Sequence, residues 1–537
     1  MLNSWPVVLP PIIVLVIAFV TKNILLSLGL GVLSASMLAV DGNILQAFSL
    51  VITHLKNLLL DPDNLYGYGF VLIVGIVVVL LNQTGGTVAL ARLMTSRLKT
   101  AKSAKYAAVL LSCCFFIDDY LSCLTVGHIM RPITDRLKIP KVKLAFILAS
   151  IPAPLAIVAP ISSWVGVIVS QFDQAGINLH AGPGQVGQLV AADPYNIFLR
   201  VIPFVFYSFI MLASIWFIIY QEISFGLMHK HETIAATTGN LFGGQAPILV
   251  ATDHDLNSSS SSLIDFLFPI LSLITLIFLG ILYQGNYWLF GGTQTSIIAI
   301  FQQKYSLFPI LFWAVLSSLI LSILLALWRN KLSLVQLPKI FTDGINLMVM
   351  AILILIIAAL FGAILRDNLQ TGFYLASLLL SHIDLIFLPA MIFVVSFLVA
   401  AATGSAWGTM AVVTPLTVPM IVALLQLQIP VSGAAIAILL PSLGAILAGA
   451  AAGDHFSPVS GVTVMSASSS GSYLIDHIKT QMFYATPAII GTLVAYIVSG
   501  ILFKFSLFYN ALGSFAAGTA VSFTILLILS RIYRGKF

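Results

Sequence analysis

Charge is what this sequence has least of. Of 537 residues, 8% are Asp, Glu, Lys or Arg, 60% are hydrophobic, and the mean hydropathy is +1.08. A soluble domain carries about 25% charged residues, so an ordinary water-facing globular surface is excluded. Cysteine is equally scarce. Cys113, Cys114 and Cys123 share one apolar region, which suggests packing residues and no disulfide framework. The chain lacks a Gly-x-x-x-x-Gly-Lys loop, which argues against direct coupling to ATP. No His-x-x-x-His or Cys-x-x-Cys pair falls within an apolar span, which argues against a zinc enzyme.

What is present is apolar sequence in long runs. Trp5–Val20, Tyr68–Leu81, Val201–Ile219, Phe266–Leu282, Leu307–Leu327, Leu347–Leu365, Leu385–Ala402 and Ala516–Leu529 approach, with their flanks, the length needed to cross a bilayer. The pattern predicts an all-α polytopic membrane protein of roughly 11 to 14 transmembrane helices. The net charge of +6 is not a nucleic-acid signature, because the basic residues gather in short loops. Arg92, Arg97, Lys99, Lys102 and Lys105 form one group; Arg131, Arg136, Lys138, Lys141 and Lys143 form another; Arg531, Arg534 and Lys536 close the chain. Such clusters anchor the cytoplasmic side, so a multi-pass protein of the cytoplasmic (inner) membrane is expected, its surroundings the lipid bilayer. The first run has neither a basic leader nor a small-residue cleavage site, so no signal peptide is read.

One polar stretch, about residues 221–262, divides the chain into halves at 1–220 and 263–537. It holds His229-Lys230-His231-Glu232, Asp253-His254-Asp255 and a serine run from Ser258 to Ser262. A solvated linker explains this composition better than a metal site does. The halves share a pattern. IDDYLSCLTVGHIMRPI (117–133) and LASIPAPLAIVAPISSW (148–164) face AATGSAWGTMAVVTPLT (401–417) and ILAGAAAGDHFSPVSGV (446–462). Setting Pro132 on Pro415 brings Ser122 onto Ser405, and Pro160 on Pro458 brings Ser162 onto Ser460. Two inverted repeats with discontinuous helices and hairpins would place freed backbone near the bilayer midplane, where an ion or substrate sits. Gly and Pro make each break. Ser162, Ser163, Thr403, Ser405, Ser457 and Ser460 are there to satisfy what the break exposes.

Acids within such segments are functional candidates, because a charge at that depth is costly. On a helix Asp118, Ser122 and Thr125 share one face. Asp119, next in the chain, cannot share it, so one acid serves the site while the other caps or pairs. Asp454 and His455 form a second charged centre. A buried carboxyl that yields its proton when a cation arrives makes a simple exchanger, and Na⁺ prefers carboxylate, hydroxyl and carbonyl oxygens. Asp118, Asp119, Ser405 and Asp454 are the expected Na⁺ ligands. His455 is either a titrating partner or a hydrogen-bonded packing residue. Trp164 and Trp407 read as packing or belt residues, Arg366, Asp367 and Asp384 as loop or interface residues, and Asp476-His477-Ile478-Lys479 as a helix start at the membrane surface.

At these residues the chain resembles the NhaC family of Na⁺/H⁺ antiporters, within the wider ion transporter superfamily. FIDDYLSCLTVGHIMRPITDR (116–136), APISSW (159–164), TGSAWGT (403–409), AGAAAGDHFSPVS (448–460) and IDHIKTQ (475–481) resemble that family's blocks in the same order. The resemblance implies inverted repeats with broken helices and exchange of Na⁺ for H⁺, with Asp118, Asp119 and Asp454 as the acids to test. One departure stands out. Where the family usually carries an acid and threonines, Gly461-Val462-Thr463 follows Ser460.

The leading expectation is a secondary active transporter, not an enzyme, that exchanges Na⁺ for H⁺ by alternating access. Na⁺ and H⁺ are coupling ions, and no cofactor is expected. A second expectation moves a small organic acid or amino acid with Na⁺; it rests on the missing acid at Gly461 and on a small-residue cavity around Gly449–Gly453. An intramembrane aspartyl protease using Asp119 and Asp454 is a distant third. The hydrophobic surface would accommodate a homodimer.

Overall fold

The computed structural model describes residues 5–21, 23–95, 98–179, 187–247, 262–295, 307–379, 384–426, 429–432, 436–458 and 460–533. Helices make up most of them, since a backbone group in lipid has no water to bond. Among the described residues nine helices are long and apolar enough to cross a membrane, or up to eleven if each sharply bent pair is one span. Ile264–Gln284 shows how a span sits. Leu267, Leu271, Ile274 and Phe278 are exposed along one stripe, while Phe266, Ile270, Leu273 and Ile277 are buried on the other. That 3.6-residue alternation separates a lipid face from a core face. Arg97, Asp253, His254, Asp255, Ser258–Ser261, Arg534 and Lys536 lie outside the described residues.

The count falls below the upper end of the expected range because several helices are interrupted, and the pieces are short. Eight pieces matter here: α1 (Asp119–Arg136), α2 (Pro152–Val158), α3 (Ser163–Gln174), α4 (Leu337–Ala363), α5 (Leu388–Thr403), α6 (Ala406–Leu424), α7 (Leu439–Phe456) and α8 (Gly461–Ser470). Among the described residues, two interruptions in each half bear on the site. In the first, Ala101–Cys114 gives way to α1, and α2 gives way to α3. In the second, α5 breaks to α6 at Gly404 and Ser405, and α7 breaks to α8 between Ser457 and Ser460. Gly404 takes a left-handed φ of 66°, a conformation open to glycine at little cost.

Protein oxygens answer three of the four new helix starts. The Leu121 N–H donates to Asp118 Oδ1 at 2.8 Å, Trp164 N–H to Ser162 Oγ at 3.2 Å, and Gly408 N–H to Ser405 Oγ at 3.0 Å. These are N-caps. Asp118 and Ser405 both cap helices, and Pro132 and Pro419 each stand fourteen residues beyond them; Ser162 and Ser460 both immediately precede helix starts.

The pieces then cross between halves: α1 packs against α8, and α3 against α6. Small residues permit the first contact. A Cβ on Gly127 would stand 2.4 Å from Ser469 Cβ, and Ser469 Oγ donates to the Cys123 carbonyl at 2.9 Å. A short parallel sheet, β1 (Ile177–Asn178), β2 (Val190–Ala191) and β3 (Val431–Ser432), ties the segment after α3 to the segment after α6. Arg366 is buried, not in a loop. It follows α4 in a π-helical turn, Ile364–Asn368, and donates to the Gln174 carbonyl at the end of α3 and to Asp367.

Two expectations change. The small residues from Gly449 to Gly453 form a Gly-x-x-x-Gly contact that brings two backbones together. A Cβ on Gly453 would meet the Phe397 carbonyl oxygen at 2.3 Å, and one on Gly449 the Phe393 oxygen at 2.6 Å. The polar stretch after residue 220 also holds a helix, Gly226–Thr238, with Met228, His231 and Ala235 buried. Glu232 there meets buried Lys143 at 3.1 Å. Burial raises the Glu232 carboxyl, but Lys143, Ser224 and Lys105 outweigh it and hold it below its usual range.

Gly453→Leu is expected to drive α5 and α7 apart and to lower both the yield of folded protein and its melting temperature in detergent. Glu232→Gln leaves Lys143 buried and unpaired, at a cost of about 3 kcal/mol in a thermal melt at pH 7. Because the folded carboxyl is depressed, this contribution is complete above its ordinary value of 4.5 and fades as the pH falls through the folded value. The melting temperatures of wild type and variant should converge in acid.

Candidate ion-binding site

The crossed helix starts enclose a cavity of about 270 Å³. Asp119, Tyr120, Trp164, Thr403, Gly404, Ser405, Trp407, Asp454 and Val462 line it, with Met348, Met350 and Ile354 on the α4 side. Asp119 is 2% exposed and Asp454 6%, so both carboxyls lie inside the protein.

The adjacent acids divide their work. Asp118 caps α1, and its Oδ2, also buried, has no hydrogen-bond partner. Arg131 is not its partner; that guanidinium packs against Gly471, as the 3.1 Å approach of Cζ to a Cβ placed there shows. Asp119, in the first turn, turns to the cavity instead, with Oδ1 unpartnered. Trp164 stands beside it, but its Nε1 has no hydrogen-bond acceptor.

Asp454 arrives from the other half. It sits in the last turn of α7, where the Gly449/Gly453 contact presses that helix onto α5 and so toward the Thr403–Ser405 break. Ser460 Oγ donates to Asp454 Oδ2 at 2.9 Å, and the Ala406 N–H at the start of α6 lies near the same carboxyl. A carboxylate at a helix N-terminus is favourably placed. Ser457 N–H donates to the Asp454 carbonyl at 3.1 Å, ending α7.

His455 faces away. Ser150 Oγ gives its one proton to the Phe146 carbonyl at 2.6 Å, so toward His455 Nε2, 3.0 Å away, it accepts. Tyr207 Oη then donates to Nδ1 at 2.6 Å. A neutral imidazole with its proton on Nε2 fills both positions, and Gln481 Nε2 donates to the His455 carbonyl.

Of the remaining candidates, Thr403 and Ser405 line the cavity, and Ser162, Ser457 and Ser460 hold the breaks. Ser163 is buried near Asp118 with its hydroxyl unpartnered. Ser122 reaches the Ser112 carbonyl only at 3.5 Å, and Thr125 is half-buried on α1; neither lines the cavity. Tyr120, Trp164, Trp407 and the α4 methionines carried no ion-site signal in sequence, since aromatic and Met residues in an apolar run read as packing. Trp164 and Trp407 in fact meet edge to face at 5.8 Å. The departure at Gly461 has a steric counterpart: a Cβ there would stand 3.0 Å from Tyr120 Oη.

The model of the Na⁺/H⁺ antiporter family matches residues 155–501. The chain belongs to the Na⁺/H⁺ antiporter family. That sets it among secondary transporters, as a multi-pass membrane protein, and lends no support to the protease reading. An uncharacterized protein of Haemophilus influenzae is 31% identical over 533 residues, covering 98% of this chain and 95% of its own length. A malate-2H⁺/Na⁺-lactate antiporter of Bacillus subtilis is 29% identical over 170 residues, 31% of this chain and 33% of that one. Among solved structures, the YdaH transporter of Alcanivorax borkumensis has 14% identity, with 84% of this chain and 91% of that chain covered, at a TM-score of 0.45. MtrF of Neisseria gonorrhoeae has 15% identity, with 87% and 85% covered, also at 0.45.

Gly461→Asp is expected to displace the Tyr120 ring and alter the apparent Na⁺ affinity, read from Na⁺-dependent protection in thermal melts. Tyr207→Phe removes a donor from His455 Nδ1. It should cost about 1–3 kcal/mol of stability without changing that Na⁺ dependence.

Proposed function

We propose that the protein exchanges Na⁺ for H⁺ by alternating access, with Asp119 and Asp454 carrying either the cation or the proton. The observation behind this reading is that two buried acids, one from each half, line a single cavity with no Lys, Arg or His among its lining residues. Two buried like charges facing one cavity are stable only if a proton or a cation neutralises them. The two ligands therefore exclude one another, and a cycle that loads one and releases the other couples their gradients. Ser405 and Thr403 offer hydroxyls beside the acids, and Ser460 Oγ donates to Asp454.

Asp118 has a positioning role. It fixes where α1 begins, and so where Asp119 points. Purified protein in liposomes holding a pH-sensitive dye is expected to move protons on Na⁺ addition. Asp119→Asn and Asp454→Asn should each abolish the response. Asp118→Asn should retain much of it, because Asn caps a helix as well as Asp does. No proton movement from folded wild-type protein, with Na⁺ or Li⁺, would sink the exchange reading.

A further inference from the structure

We infer that the same cavity binds a small organic cation of the alkylammonium class, which takes the metal ion's place in exchange for protons; this rests on the exchange reading for the role of the two acids. Four independent features of the cavity agree.

The first is size. At roughly 30 Å³ per water, the cavity's 270 Å³ is far more than a metal ion held by its own ligands fills. The second is sign. The two carboxyl side chains that line it, Asp119 and Asp454, have no Lys, Arg or His beside them, and three of the four helix starts around it are answered by protein oxygens. Asp118, Ser162 and Ser405 cap α1, α3 and α6, and the Ala406 N–H lies near Asp454. An organic carboxylate would find no cationic side chain in the lining, and two carboxyls would face it.

The third is the character of the walls. Trp164 and Trp407 present indoles at right angles, with Tyr120 adjacent. A cation over an indole face is attracted by the ring quadrupole, and aromatic cages are the common receptor for alkylated ammonium groups. Met348 and Met350 add polarisable thioethers that adapt to an alkyl group. The fourth is an unmet bond: Asp119 Oδ1 is buried in this wall without a donor. An N–H of a primary or secondary ammonium would satisfy it, and a quaternary one would leave only the charge contact. An organic monocation carries the same charge as Na⁺, so the exchange with protons keeps its balance.

The test uses the full-length protein in the dye-loaded liposomes, challenged separately with Na⁺, tetramethylammonium and potassium malate. Tetramethylammonium is the informative cation because it has no free-base form to leak across the bilayer. In detergent, the same solutes are titrated while tryptophan fluorescence is followed, for wild type, Trp407→Leu and Trp407→Phe, each checked by thermal melt. The expected result is a saturable fluorescence change with tetramethylammonium that Na⁺ competes away. Apparent affinity should fall about tenfold in Trp407→Leu and recover partly in Trp407→Phe, which keeps an aromatic face. If Na⁺ moves protons while tetramethylammonium neither binds nor competes, the inference is overturned and exchange stands. Proton movement driven by malate but not by tetramethylammonium overturns it as well. If tetramethylammonium drives protons and Na⁺ does not, the organic-cation assignment holds and the Na⁺ reading falls.

Discussion

A backbone group freed inside a membrane must find its partner within the protein, and that constraint organises this structure. Four helix interruptions create starts and ends that cannot be left bare. Asp118, Ser162 and Ser405 satisfy starts, and Gly404 lets an end turn tightly. The polar residues that looked out of place in an apolar sequence are there first because the backbone is broken. Ion chemistry uses what that repair brings together.

The acids then take their places from the helices that carry them. Asp118 is spent on capping, which turns its neighbour Asp119 to the cavity. Asp454 is held at the end of α7 by Ser460, with the first amide of α6 close by. Because α1 packs on α8 and α3 on α6, the cavity is made by both halves, and neither half alone supplies its charges. The net negative character of the lining follows from having two acids and no base.

Much of this was legible in the sequence, for identifiable reasons. Long apolar runs read directly as membrane helices, and Gly, Pro and Ser clusters read as breaks. Both Pro415 and Pro419 are candidates to match Pro132, and the spacing from the caps Asp118 and Ser405 favours Pro419. Asp119 could not be told from Asp118, since which acid caps depends on where the helix starts. Gly449–Gly453 read as open space because glycine marks a cavity and a close backbone contact alike. The stretch 476–479 does open a helix, Leu474–Ile501, in which His477 is buried, and the helix Gly226–Thr238 was hidden in a composition that suits a loop. Tyr120, Trp164, Trp407, Met348 and Met350 were silent because an aromatic or thioether wall looks the same in sequence whether it meets a ligand or a neighbour.

The Gly449/Gly453 contact has a mechanical consequence. Two helices interlocked through backbone atoms cannot slide along one another without collision, so α5 and α7 behave as one strut. The turn at Gly404–Ser405 and the carboxyl of Asp454 are fixed to that strut and stay in register however it tilts.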